Sequence, residues 1–270
     1  MSPTLLIVSA LAGLCALFVA LYLLARRIDN YGIVDVAWSY AYALLAGYYA
    51  LCAPGWLPRR ALVAGLAIVW SLRLGTHLLR RVAGHHPVED GRYVQLRQDW
   101  VGNFGPKMAG FFQMQAASVV LLGFPFLMPM LNASVEFHPL EIAGACLWLV
   151  ALAGESLADA QLAAFKSDPA NRGRVCAVGL WRASRHPNYF FEWLVWVAYF
   201  VLALASPWGW LAMLSPAIIL YLLLRVTGIP LTEQQSLRSK GDAYREYQAS
   251  TSAFVPWWSR ARPAKVVSSG

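Results

Sequence analysis

G-L-W-R-A-S-R-H-P-N-Y-F-F-E, from Gly179 to Glu192, packs two arginines, a histidine, an asparagine, a tyrosine and a carboxylate into the mouth of an otherwise apolar run. Pro187 suits the first turn of a helix, where its missing N–H breaks no hydrogen bond. The stretch therefore predicts a helix start, with Arg185 and His186 at or just before it. Asn188 and Glu192 then lie one turn apart on one face. Polar groups carried down into an apolar helix need partners. The free N–H groups of the helix mouth, beside two arginines, suit an anion, and phosphate in particular. An ordinary basic cap on a membrane helix would explain the arginines but not Asn188 and Glu192.

Apolar runs extend on both sides of this motif. The chain has 270 residues, 59% of them hydrophobic and 13% charged, with a mean hydropathy of +0.49. That is more apolar surface than a soluble domain of this length can hide. The pattern predicts an all-α polytopic membrane protein, a seven-transmembrane-helix bundle with spans near 4–25, 31–53, 61–81, 108–131, 139–165, 188–205 and 208–226. Arg26 and Arg27 follow the first run instead of preceding it, so it reads as a retained span and not a cleavable signal. Residues 82–106 are too charged to span and predict short interfacial helices around 92–100. Only Ser206 and Pro207 join the last two spans, which must form an antiparallel hairpin. The tail from Thr232 to Tyr247 is polar and helix-compatible, with Thr232 as a candidate cap, and leads to Trp257 and Trp258, which suit the membrane interface.

Charge sets the expected orientation. The loops after the odd-numbered spans hold Arg26, Arg27, Arg80, Arg81, Arg92, Arg97, Lys107, Lys166, Arg172, Arg174, Arg182, Arg185 and the basic tail, and the opposite loops hold only Arg59 and Arg60. The positive-inside rule then puts the N-terminus outside and the C-terminus in the cytoplasm. The net charge of +8 is dispersed between apolar runs and forms no stripe for nucleic acid. Cys15, Cys52, Cys146 and Cys176 have no metal-site spacing and read as small core residues. No Rossmann, P-loop, zinc-protease or nucleophile-elbow motif is present.

Three further constellations stand out. Asp35, Trp38, Ser39 and Tyr42 share one face of span two, and Arg73, His77, Arg80 and Arg81 fall near one face of span three. Asp35 either pairs with a neighbour such as Arg73 or His77, or is kept protonated by burial and can donate to a carbonyl. Glu155, Asp159 and Lys166 stack along span five, as a self-satisfied network or as a ligand strip. Glu89, Asp90, Arg92 and Tyr93 form a compact patch that reads equally as a solvated loop or a site.

Glu155, Asp159 and Lys166, then G-L-W, then R-H-P-N-Y-F-F-E, fall in the order and nearly the spacing of the membrane-embedded steroid 5α-reductase family. The chain resembles most closely that family's bacterial branch, over about residues 140–258. The resemblance implies NADPH as cofactor, bound by region 139–258, with 1–131 forming the substrate-side helices of a single integral membrane domain, 1–270. Asp159, Lys166, Asn188 and Glu192 match family cofactor contacts, and Glu155 stands where the steroid enzymes carry an asparagine. Arg225 resembles the arginine at the pyrophosphate, and Glu233, Lys240, Tyr244, Tyr247 and Pro256 resemble the tail motif. Arg174, Trp181, Arg185, His186 and Tyr189 complete the expected cofactor set. Where the steroid enzymes use a Gln-Glu pair and a tyrosine to grip the 3-keto group, this chain offers Asp35, with Trp38, Arg73 and His77 beside it.

The implied reaction is hydride transfer to the β-carbon of an α,β-unsaturated ketone, with an apolar steroid or isoprenoid ketone entering a monomer from the bilayer. The alternative is an S-adenosylmethionine-dependent methyltransferase of the isoprenylcysteine or phospholipid type, whose helix mouth also carries R-H-P-x-Y. Lys166, Arg172 and Arg174 favour a cofactor with an extra phosphate. A third possibility is a sterol-binding or scaffold protein whose reductase site has decayed. The absence of a retention signal favours a bacterial inner membrane over the endoplasmic reticulum.

Overall fold

A computed structural model describes residues 1–85 and 87–257. Trp258, and with it the end of the 139–258 region, lies outside the described residues. Helices and loops account for all the described residues, with no strand among them. The helices are α1 (Pro3–Ile28), α2 (Ile33–Cys52), α3 (Leu57–His85), α4 (Gly91–Asp99), α5 (Phe104–Leu122), α6 (Phe124–Leu131), α7 (Pro139–Ser167), α8 (Pro187–Ala203), α9 (Leu214–Tyr221), α10 (Ile229–Lys240) and α11 (Asp242–Ser250).

Five stretches are long and apolar enough to cross a membrane: Pro3–Ile28, Leu57–Gly84, Phe104–Leu131, Pro139–Ser167 and Gly209–Lys240. Two of the seven expected spans are not among them. α2 carries Asp35, Ser39 and four tyrosines in its 20 residues, which dilutes its hydropathy. α8 has only 17 residues, at the short limit for a bilayer crossing.

Packing divides the chain into two compact units, residues 1–146 with 197–215, and residues 147–196 with 216 onward. The division passes through α7 and α8.

In unit 1, α2 packs on α1, α3, α5 and α6. An aromatic chain fills its core: Tyr42 lies 5.3 Å from Trp70 and 6.1 Å from Phe126, which lies 4.8 Å from Tyr199. Two features fit α3 against α2. The Ser71 hydroxyl accepts from Ala43 N at 3.0 Å and donates to Ser39 O, so it enters the hydrogen-bond ladder of α2. Gly75 leaves room for the Tyr40 ring, which a Cβ there would meet at 2.7 Å. The expected fourth span is broken at Gly123 into α5 and a short, almost wholly buried α6.

Arg59 is 1% exposed and knots this unit together. Its Nε donates to Glu141 Oε1, its Nη2 to Glu141 Oε2 at 3.2 Å, and its Nη atoms reach Asn132, Ser134 and Glu136 carbonyls. Arg60 donates to Ala50 O at 2.7 Å and Ala53 O at 2.8 Å, capping the C-terminus of α2. Both arginines read from sequence as loop charges are thus absorbed by internal partners.

Unit 2 joins the later part of α7, the head of α8, α9, a π-helical turn Leu222–Val226, α10 and α11. Gly154 lets Phe191 lie on α7, where a Cβ would meet its ring at 2.4 Å. Trp193 Nε1 donates to Pro216 O at 3.1 Å, placing α8 beside α9 as a hairpin requires. Thr232 is not a cap: α10 starts at Ile229, and the threonine hydroxyl donates back to Gly228 O at 3.0 Å from inside the helix.

Candidate functional site

The R-H-P-N-Y motif opens α8 at Pro187, as its sequence predicts. Ahead of it, Arg185 is held on several sides. Its Nε donates to Glu233 Oε1 at 2.7 Å and its Nη1 to the Gln248 and Thr251 carbonyls, at 2.9 and 2.5 Å. Its backbone N–H donates to Ser252 O at 2.8 Å. Ser184 Oγ donates to Phe254 O, and Trp257 N to Ala183 O. The chain after α11 is therefore strapped along residues 183–185.

His186 is 3% exposed. Its Nε2 lies 3.3 Å from Glu233 Oε1, and its ring stacks on Tyr189, with centroids 5.4 Å apart. Burial, only partly offset by the Glu233 hydrogen bond, pushes the imidazole down to about 4, so it is neutral at pH 7. Tyr189 Oη pairs with Thr232 Oγ1 at 3.1 Å. Trp181 Nε1 donates to Ala158 O, and Tyr247 Oη donates to Trp181 O. Gln161, which sequence reading did not single out, accepts from Leu180 N at 2.9 Å through Oε1.

A polar strip runs between α7 and α8. Asn188 Nδ2 donates to Asp159 Oδ1 at 3.2 Å, and Glu192 Oε1 accepts from Trp196 Nε1 at 3.0 Å. Glu155, one turn before Asp159, is 3% exposed. Lys166, Arg172, Arg174 and Arg225 are exposed in the same unit.

Unit 1 holds a second cluster. Asp35 Oδ2 accepts from Arg92 Nη2 at 2.6 Å, and Asp35 Oδ1 accepts from Tyr93 Oη at 2.8 Å. Arg92 Nε also reaches Asp90 Oδ1 at 3.1 Å, and Asp90 caps α4 by accepting from Arg92 N. Although burial opposes it, the Arg92 contacts hold the Asp90 carboxyl below its usual range. Tyr93 is 2% exposed. Burial first, then the Asp35 charge, pushes its phenol well up, so it stays protonated. Beside this cluster, Arg97 joins Glu89 at 2.8 Å and Asp29 at 2.7 Å, and Glu89 Oε1 accepts from Tyr31 N.

A family profile described as "Protein of unknown function (DUF1295)" matches residues 21–251. The chain belongs to the DUF1295 family. A curated relative, an uncharacterized protein of Schizosaccharomyces pombe, is 28% identical over 225 residues, which is 73% of this chain and 63% of that protein. The chain thus spans less than two thirds of that relative's length. No solved structure matches it.

Within this DUF1295 chain the geometry redistributes the residues expected from sequence. Asp35 takes neither Arg73 nor His77 as partner; its oxygens accept from Arg92 and Tyr93. Arg73 is half-buried and His77 exposed on α3. Trp38 donates its indole N–H to Ser118 Oγ at 2.9 Å and packs edge-on against Tyr42. Arg185, Trp181, Glu233 and Tyr247 hold one another and the tail through the bonds above, and Arg185 is engaged by carbonyls and a carboxylate. Asp159 and Asn188, both in the expected set, meet each other. Arg92 and Tyr93 were legible only as members of a charged loop patch, because their link to Asp35 spans 57 and 58 residues.

Proposed function

We propose that the protein is a membrane-embedded, NADPH-dependent reductase of the C=C bond of an α,β-unsaturated lipid ketone, of the steroid 5α-reductase kind. The observation that carries this reading is the strip Glu155–Asp159–Asn188–Glu192, paired across α7 and α8, in a unit with exposed Lys166, Arg172, Arg174 and Arg225. Amide-binding carboxylates and an Asn–Asp pair suit a nicotinamide carboxamide, and scattered cations suit the phosphates of a dinucleotide. The DUF1295 family is related to steroid 5α-reductase-like membrane proteins, which supports the same reading. In this proposal seven helices cross the membrane, with the N-terminus outside and the basic C-terminal side in the cytoplasm, where phosphorylated cofactors are found.

When bound, NADPH would supply the hydride for the substrate's β-carbon, and the α-carbon would take its proton from water. Within unit 1, the group whose chemistry best suits a carbonyl oxygen that gains negative charge is the Tyr93 hydroxyl, kept protonated by burial and by Asp35. Arg92 holds the Asp35 carboxylate in place. Asp159 and Asn188 would orient the cofactor's amide, and Lys166, Arg174 and Arg225 would hold its phosphates. An apolar steroid or isoprenoid ketone reaches the site from the bilayer. The test is turnover in proteoliposomes with NADPH deuterated at C4 and a Δ4-3-ketosteroid. The reading expects one deuterium at the β-carbon, and loss of NADPH without labelled product would refute it.

An acidic strip also suits a cationic cofactor. The three carboxylates Glu155, Asp159 and Glu192 are what favours the second reading, an S-adenosylmethionine-dependent methyltransferase acting on an isoprenyl or phospholipid acceptor.

A further inference from the structure

α1 and α5 run antiparallel in unit 1. Tyr22 Oη donates to Gly105 O at 3.0 Å, and Gln113 Nε2 to Cys15 O at 3.4 Å, so numbers rise along one helix as they fall along the other. The C-terminus of α1 and the N-terminus of α5 therefore meet at one end. Between them opens a cleft of about 480 Å³.

The floor of the cleft is aromatic, and its rim carries a guanidinium. Tyr31 meets Phe104 edge-on at 5.0 Å and lies 6.3 Å from Tyr22. Arg97 sits 4.9 Å from the Tyr31 ring and 5.1 Å from Phe104, but Glu89 and Asp29 neutralise it. Arg26, at the rim, is exposed and has no carboxylate partner among the described residues. Lys107, 5.8 Å over the Trp100 ring, adds a second cation in the first turn of α5. Both helices are long and apolar enough to cross a membrane, so their common end lies where hydrocarbon gives way to headgroups. Cations mixed with aromatic rings are what such a depth selects.

We propose that this cleft binds the phosphodiester headgroup of an anionic glycerophospholipid. Arg26 takes the phosphate, the glycerol backbone covers the Tyr22–Tyr31–Phe104 floor, and the acyl chains lie along Val19 and Leu23, both exposed on α1. A free phosphate would engage Arg26 and leave the aromatic floor uncovered, so the lipid is the better-fitting source of the anion. The inference is independent of the reaction proposed above.

The experiment is native mass spectrometry and thermal unfolding of the full detergent-purified chain, titrated in parallel with phosphatidylglycerol, phosphatidylcholine and inorganic phosphate. Phosphatidylglycerol is expected to stay bound and raise the melting temperature, while the other two do neither. Arg26→Gln should weaken phosphatidylglycerol roughly fivefold, the worth of one basic side chain at an anionic surface. Ala109→Phe, which fills the cleft, should abolish retention without lowering the melting temperature of the lipid-free protein. Equal retention of the two lipids, unchanged phosphatidylglycerol binding in both variants, or a phosphate effect equal to the lipid's would overturn the proposal.

Discussion

Asp35 of α2 and Glu233 of α10 each face an arginine, yet the two arginines are tied down differently. Among the described residues, Arg92 in unit 1 hydrogen-bonds side-chain carboxylates, those of Asp35 and Asp90, and lies over the Tyr93 ring. Arg185 in unit 2 meets Glu233 and two backbone carbonyls, and its own N–H is bound to Ser252. An arginine on carbonyls fixes the path of the chain, because backbone groups cannot be re-satisfied by rotating a side chain. An arginine on carboxylates fixes only the neighbouring side chains, here Asp35 with the Tyr93 hydroxyl that donates to it. The same contrast recurs within unit 1, where Arg59 gathers three carbonyls around Glu141. Unit 2's motif is thus a folding knot beside a polar strip, and unit 1's cluster is the one to which the proposed reaction assigns the carbonyl.

Breaking the knot should have the largest effect. Arg185→Ala takes the cation from the partly buried Glu233 and frees the strap of residues 248–257, which should cost roughly 3 kcal/mol, the low end for a buried pair; the yield and melting temperature of purified protein read this out. An unchanged melting temperature would return Arg185 to the ligand-binding set. Tyr93→Phe should do the opposite, lowering kcat roughly 10²–10³-fold while costing about 1 kcal/mol of stability. A Tyr93→Phe enzyme that unfolds, or one that turns over normally, would erase the distinction between the clusters.

His186 sharpens the comparison through pH. Its folded value, about 4, lies below the ordinary 6.5, so as pH falls the unfolded chain takes the proton first. The stability that the neutral ring contributes is complete above pH 6.5 and is lost progressively towards pH 4, by about 3 kcal/mol in all. His186→Gln should flatten melting temperature against pH across that window. The smallest effect belongs to the rim of unit 1's cluster. Arg81 meets Asp90 at 3.4 Å with side chains 45% and 31% exposed, so Arg81→Ala should shift stability by no more than about 0.5 kcal/mol.

Much of the fold could be read locally. Pro187 marked the start of α8, Arg92–Trp100 the short α4, and the apolar runs the long helices, because each depends on spacing within one segment. What could not be read was pairing at a distance. Nothing near Arg59 pointed to Glu141, and nothing near Asp35 chose Arg92 over Arg73, since helix faces fix direction but not which neighbour arrives. Thr232 was misread for a related reason: a threonine before a polar helix resembles a cap, but Gly228 and Pro230 start α10 one turn earlier. In the candidate site, the shared face of Asp159 with Glu155 and of Asn188 with Glu192 was legible. The diversion of Arg185 and Tyr247 to internal carbonyls was not, because it depends on where residues 248–257 return.

Thermal unfolding of the detergent-purified protein with NADPH, NADH or S-adenosylmethionine tests the central claim most directly, since a ligand bound only by the folded state must raise the melting temperature. The account predicts a rise with NADPH, a smaller one with NADH, and none with S-adenosylmethionine, and predicts that Asp159→Ala removes the NADPH effect. A rise with S-adenosylmethionine and none with NADPH would contradict it and assign the acidic strip to a cationic cofactor.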